Sequence, residues 1–241
     1  MSRFVLVHGG WHGGWCWSRV AARLRAAGHQ VFAPTLSGLG EREHLWTPDI
    51  GLDTHTEDIL NVLRFEQISE AILVGHSYGG TIITLAADRV ASKVAALVYV
   101  DAVIPENGVA GWDGFSEQRQ QAMLAGAARL GGMRVPPPDP SAWGITSPQD
   151  LEWVRTCCTP HPIKTMYDLP RLGQSWQTVA RKHYILAGAH GNPRFIAHHA
   201  AAVQQSDWTT QMIDGGHDLM VTEPALLSDA LLQVAASALS A

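Results

Sequence analysis

The residues best suited to chemistry are Gly75-His76-Ser77-Tyr78-Gly79, which directly follow the apolar run Ala71-Ile72-Leu73-Val74. In a G-x-S-x-G segment of this kind the serine occupies a sharp turn between a buried strand and a helix, with its hydroxyl lifted clear of the sheet. Glycines at 75 and 79 let the backbone turn tightly and let strand and helix pack closely. Gly80-Thr81-Ile82-Ile83-Thr84-Leu85-Ala86-Ala87 reads as that helix, its N-terminal dipole facing a developing anion. An ordinary Gly/Ser turn can match the pattern by chance. The β-run before it and the helix after it favour a nucleophile at Ser77.

A serine nucleophile needs a base, an acid to orient that base, and donors for an oxyanion. Of the 12 histidines, His217 has the right position: Gly215-Gly216-His217 follows the last strand, after the serine in chain order. The acid is less routine. It usually lies after the penultimate strand, here His183–Ala187, yet residues 182–206 contain no aspartate or glutamate, and His190 and Asn192 occupy that loop. Asp101 is the best candidate because it closes the preceding strand, Leu97-Val98-Tyr99-Val100, at the same sheet edge. An aspartate there also suits a cap for the turn Ala102–Pro105. Glu106 is a weaker alternative; Asp214 and Asp218 lie too close to His217 in sequence, and Asp207 is at the wrong end of its strand. The oxyanion donors are expected from the backbone N–H groups of Tyr78 and Gly10. The loop Gly9–Trp15 is glycine-rich but lacks the G-K-[ST] ending of a phosphate loop. His8 and His12 are four residues apart on a glycine turn, which says little about a metal, so His8 is read as a residue that fixes the loop, and no metal site is expected.

Parallel strands with helices between them would hold these residues. Phe4–Val7 is a β-run, followed by a helix with Ser18 as N-cap and Gly28 as stop, then the strand Gln30–Pro34. Thr54-His55-Thr56-Glu57 reads as a capping box opening a helix that turns Ile59, Leu60 and Leu63 inward. After Asp101 the alternation breaks. Residues from about 104 to 180 carry helix signals, Ser116 capping a run to Leu130 and Ser147-Pro148 opening a turn toward Trp153, but no convincing central strand. The alternation then resumes with His183–Ala187, a helix around Phe195–Gln204, the strand Thr209–Ile213 and a last helix from Pro224. The expected fold is α/β: a mostly parallel, doubly wound sheet with a helical lid inserted after the strand ending at Asp101. The core comprises 1–103 and 181–241 and the lid 104–180, over the carboxyl edge where open α/β sheets bind ligands.

Composition narrows the field. The 241 residues are 46% hydrophobic and 16% charged, values of a globular domain with a substantial core. A net charge of −5 and no basic cluster argue against nucleic acid, and no apolar run is long enough to span a membrane. Three cysteines (Cys16, Cys157, Cys158) read as free thiols in a reducing compartment, and with no secretory signal the expected location is cytoplasmic. Oligomeric state is open, a homodimer included. Of nine tryptophans, Trp11 and Trp112 are expected nearest the substrate, one adjoining the oxyanion loop and one in the insertion; simple aromatic packing explains each equally well.

Taken together, Phe4-Val5-Leu6-Val7-His8-Gly9-Gly10, Trp11–Trp17, Gly28-His29-Gln30-Val31, Gly75–Gly80 and Gly215-Gly216-His217 resemble the α/β-hydrolase superfamily over essentially the whole chain. The closest resemblance is to the branch of plant methyl-ester esterases, hydroxynitrile lyases and bacterial pyrethroid-type carboxylesterases. It implies a cofactor-free enzyme with a helical lid, in which Ser77, His217, Gly10 and Tyr78 carry the roles above. Two departures stand out. The branch's aspartate after the penultimate strand is replaced by Ala189-His190-Gly191, and where the plant lyases add a threonine and a lysine this chain has Gly9 and Asp218. The expected function is therefore a serine carboxylesterase acting on a small to medium hydrophobic ester. The competing readings are a cofactor-free lyase on the same scaffold and a small-molecule receptor with little turnover.

Overall fold

The computed structural model describes residues 1–239. The first half alternates as its apolar runs require: β1 (Arg3–Val7), α1 (Ser18–Ala26), β2 (Gln30–Phe32), α2 (Leu52–Phe65), β3 (Ala71–His76), α3 (Gly79–Val90) and β4 (Val94–Val100). Residues 104–180 then add α4 (Glu117–Ala128), β5 (Arg134–Val135), α5 (Pro148–Cys157), β6 (His161–Pro162) and α6 (Lys164–Tyr167). The last part returns to the alternation with β7 (Lys182–Ala187), α7 (Pro193–Val203), β8 (Trp208–Ile213), α8 (Leu219–Thr222) and α9 (Pro224–Leu239).

Six strands form one parallel sheet in the order β2-β1-β3-β4-β7-β8. Residues 104–180 contribute no strand to it; β5 and β6 pair antiparallel as a separate ribbon. Side chains alternate between the two faces, and both faces are buried. Phe4, Leu6, Ile72, Val74, Val98 and Val100 pack toward Val20 and Leu24 of α1 and Leu227 and Leu231 of α9. Val5, Val7, Leu73, Leu97 and Tyr99 pack toward Ile59 and Leu63 of α2 and Ile82 and Ile83 of α3. Burial on both sides is why these strands read as continuous apolar runs.

Two helix starts differ from expectation. Trp17 rather than Ser18 precedes α1, with no side-chain cap. α2 begins two residues before Thr54, whose hydroxyl instead accepts from Gly51 N–H at 3.4 Å. A distant carboxylate sets that start: Asp168 Oδ2 accepts from Leu52 N–H at 2.9 Å. Ser116 and Ser147 do cap α4 and α5, accepting from Arg119 N–H and Asp150 N–H.

Since all six strands run the same way, their carboxyl ends emerge on one edge. The chain moves to one side of β1 to make β2 and to the other to make β3, so β1/β3 is the switch point where such sheets open a crevice. Trp11, Ser77 and Asp101, which lie beyond the ends of β1, β3 and β4, are non-glycine residues in the left-handed region, with φ of 66°, 53° and 43°. Each such residue costs on the order of 1–3 kcal/mol, a strain that clusters at functional sites.

Candidate active site

The elbow at Ser77 is held by contacts no side chain could enter. A Cβ on Gly75 would lie 2.6 Å from Gly79 O, and one on Gly79 would lie 2.6 Å from Val7 O. Ser77 N–H donates to Val100 O at 3.2 Å, and its carbonyl accepts from Gly80 N–H at 3.2 Å and Val103 N–H at 3.0 Å. These bonds tie the turn to the end of β4 and hold the strained φ in place.

His217 follows β8 and is buried. Its Nδ1–H donates to Asp101 Oδ2 at 2.6 Å. The Phe195 ring stacks on the imidazole with centroids 5.3 Å apart and planes 5° from parallel, and His76 Nε2–H donates to the His217 carbonyl at 3.1 Å. With Nδ1 holding the proton, Nε2 keeps a lone pair.

Asp101 is fully buried, and both of its carboxylate oxygens accept hydrogen bonds. Oδ1 accepts from Ala187 N–H at 3.2 Å, while Oδ2 accepts from both His217 and His190, the latter through Nδ1 at 2.6 Å. Burial alone would push the carboxyl group's pKa up. Hydrogen bonds from His190 and His217 outweigh it and hold the pKa down at about 2. His190 is the functional residue that the motifs miss. Its signal is indirect: the loop expected to carry an acid carries a histidine instead, and that histidine donates to the acid one strand away. The two imidazole rings lie 4.4 Å apart.

The first loop is braced from several directions. His8 Nδ1–H donates to Gly9 O at 2.8 Å and its Nε2 accepts from Leu36 N–H at 3.0 Å; burial pushes its pKa down to about 3, so the ring is neutral. His12 joins Gly10 O at 2.8 Å to Asp218 Oδ2 at 3.0 Å, and although burial opposes its charge, Asp218 raises its pKa. Trp11 N–H donates to His161 Nδ1 at 3.3 Å. The backbone N–H groups of Gly10 and Tyr78 have no intramolecular acceptor among the described residues.

These groups meet in a cavity of about 460 Å³ whose wall includes Gly10, Trp11, Ser77, Tyr78, His190 and His217. Residues 104–180 supply much of the rest, among them Val109, Phe115, Trp143 and Met166. Trp112 does not line it. Its ring packs 4.7 Å from Tyr167 and 6.3 Å from Phe115, so Phe115 reaches the cavity and Trp112 supports it from behind. Among the described residues, Asp101–His190–His217 and His76–His217–Asp218 gather three potential metal donors within 4.8 Å. The first set is closed by 2.6 Å hydrogen bonds, whereas ligand atoms around a tetrahedral ion lie about 3.3 Å apart. That is the spacing of shared protons.

The sequence profile described as "Alpha/beta hydrolase family" matches residues 4–230. The chain belongs to the alpha/beta hydrolase family. A carbendazim hydrolyzing esterase of Nocardioides sp. (strain SG-4G) is 37% identical to this hydrolase over 244 residues, covering 96% of this chain and 98% of that protein. By that kinship the chain is an enzyme, a carboxylic ester hydrolase. Arabidopsis thaliana Methylesterase 7 is 42% identical over 106 residues, 43% of this chain and 41% of its own. Among solved structures, an extracellular alpha/beta-hydrolase from a Paenibacillus species superposes with a TM-score of 0.83 at 21% identity, covering 97% of this chain and 98% of that one. Tomato Methylketone Synthase I superposes with a TM-score of 0.79 at 20% identity and 98% coverage of both chains. The parallel sheet and its flanking helices are thus those of the hydrolase fold.

Proposed function

We propose that this hydrolase is a serine carboxylesterase acting through an acyl-enzyme on Ser77. The observation that carries the reading is the 2.6 Å bond from His217 to a buried, ionised Asp101, on a histidine that shares its cavity with the strained Ser77. His217 Nε2 takes the Ser77 proton as Oγ attacks the ester carbonyl. The N–H groups of Gly10 and Tyr78 stabilise the oxyanion, and the imidazolium, held by Asp101, returns the proton to the leaving alcohol. Water activated by the same histidine then releases the acid.

Residues 104–180 act in this reading as a lid that closes the apolar wall around the substrate. A cavity of about 460 Å³ suits a small to medium hydrophobic ester. The receptor alternative drew on the missing carboxylate after β7; Asp101 occupies that role from β4. The lyase alternative is weakened at residue 9, where a Cβ would lie 2.9 Å from Ser77 Cβ and 2.8 Å from His76 Nδ1, leaving no room for threonine.

The test is fluorophosphonate labelling together with hydrolysis of p-nitrophenyl esters of graded chain length and of carbendazim, the compound named for the Nocardioides relative. A covalent adduct on Ser77 and a burst of p-nitrophenol are expected. A chain that neither labels nor turns over any ester would overturn the proposal.

A further inference from the structure

The proposed chemistry leaves two charged residues of the cavity wall unused. Arg194 and Arg119 both line the cavity, and no aspartate or glutamate does. Neither arginine has an ion-pair partner within 4 Å among the described residues, although seven other arginine–carboxylate contacts occur. Arg194 is half-buried. Its guanidinium lies against the backbone of Gly114, where a Cβ would come within 2.5 Å of Cζ, so the glycine provides the slot in which it rests. Its one side-chain hydrogen bond among the described residues is Nη1–H to Gly111 O at 3.3 Å, leaving most of its five donors unused. Burial disfavours its charge, and the carboxylate acting on it, Glu106, does so from beyond ion-pair distance. Arg119 rests over the Phe115 ring at 5.5 Å.

Local helix physics does not account for either residue. Arg194 is second in α7 and Arg119 third in α4, in first turns where the helix dipole favours acids. A chain with net charge −5 thus keeps its cavity wall free of carboxylates and provides it with two unpaired cations.

We infer that Arg194, assisted by Arg119, forms a carboxylate-binding subsite, so that the favoured substrates are esters bearing a second, free carboxylate, such as half-esters of dicarboxylic acids. A planar guanidinium with free donors matches a carboxylate in two parallel hydrogen bonds. The inference rests on the esterase reading for turnover and on the cavity alone for binding.

The experiment compares p-nitrophenyl half-esters of adipic, pimelic and suberic acids with neutral p-nitrophenyl esters of matched length. In the wild type at least one half-ester should equal or exceed its neutral partner in kcat/KM, with the advantage shrinking as KCl is added. Arg194→Gln should lower the charged-to-neutral ratio by about 10- to 100-fold, mainly through KM, the scale of hydrogen bonds to a charged group. Arg194→Lys should retain part of the preference, Arg194→Glu should abolish it, and Arg119→Gln should weaken it less. A neutral preference in the wild type, or a ratio unmoved by Arg194→Gln, would overturn the subsite. A second arm is independent of turnover: monomethyl adipate against the neutral dimethyl adipate binding to Ser77→Ala, read by the change in tryptophan fluorescence, with Trp11 and Trp143 in the cavity wall. Tighter binding of the monoester, lost in the Ser77→Ala/Arg194→Gln double variant, supports the subsite even if no ester is hydrolysed. Equal binding of the two esters refutes it.

Discussion

Replacing Asp101 by asparagine changes one atom in a fully buried group, and its consequences follow from who donates to it. Both oxygens are pure acceptors: Oδ1 faces Ala187 N–H, and Oδ2 faces two imidazole Nδ1–H groups at 2.6 Å each. An amide in either orientation points its NH₂ at a donor. With NH₂ at the Oδ2 position, His217 must turn Nδ1 into an acceptor and carry its proton on Nε2, where it no longer serves as a base for Ser77. With the amide reversed, the tautomer survives but the negative charge that stabilises the imidazolium is gone. Two unit charges about 4 Å apart interact by ~4 kcal/mol at an effective dielectric near 20. At 1.36 kcal/mol per tenfold, that is about 10³ in rate. Asp101→Asn is therefore expected to lower kcat by roughly 10²–10⁴-fold at pH 7.5 while circular dichroism stays native. The assay is p-nitrophenyl butyrate hydrolysis, with fluorophosphonate labelling rate as a second readout of nucleophile activation. A folded variant within about threefold of wild type in both would refute Asp101 as the acid and send the role elsewhere.

Ser77→Ala should remove the fluorophosphonate adduct by mass spectrometry and lower ester hydrolysis by ~10³-fold or more. His190→Phe removes a hydrogen bond to a buried carboxylate, so thermal or urea unfolding should show about 1.5–3 kcal/mol of lost stability. Its effect on kcat should be smaller than that of Asp101→Asn, because the His217 bond remains; a larger loss of rate than Asp101→Asn would contradict this ordering. Asp101, with its pKa lowered from 3.8 to about 2, stabilises the fold above pH 3.8, a contribution lost as pH falls through about 2. The buried histidines act earlier: His8 ionises near 6.5 when unfolded but at about 3 when folded, so the unfolded chain takes up the proton first. Stability should therefore decline from pH 6.5 toward pH 3, His8 alone contributing on the order of 5 kcal/mol over that window, and His8→Asn should flatten the decline in urea titrations at stepped pH.

Local physics made the architecture legible. Continuous apolar runs of four to seven residues, separated by helix-length amphipathic stretches, are what the doubly covered centre of a parallel sheet requires, and β1, β3, β4 and β7 stand where that pattern puts them, with the more polar β2 and β8 at the two edges. The capping serines at 116 and 147 were legible because a cap depends only on the next three residues. The start of α2 was not, because Asp168, more than a hundred residues away, supplies the acceptor for Leu52 N–H. Trp112 illustrates the same boundary: its place in the 104–180 segment is readable, but whether its ring or that of Phe115 meets the cavity depends on how Tyr167 packs against it.

The sequence by itself determined the elbow around Ser77, the strand edge that brings Asp101 and His217 together, and the vacancy in the loop after β7. Each depends on residue type and short-range spacing: glycines at which a Cβ would meet a backbone carbonyl oxygen at 2.6 Å, apolar periodicity, and chain order along a parallel sheet. Tertiary structure alone decided that one carboxylate oxygen is shared by two histidines 89 and 116 residues away, that Phe195 stacks on His217, and that Arg194 and Arg119 stand unpaired in the cavity wall. Those outcomes belong to side chains carried on different elements. A hydrogen bond falls off within a few tenths of an ångström, and no spacing along the chain encodes the distance between two loops to that tolerance.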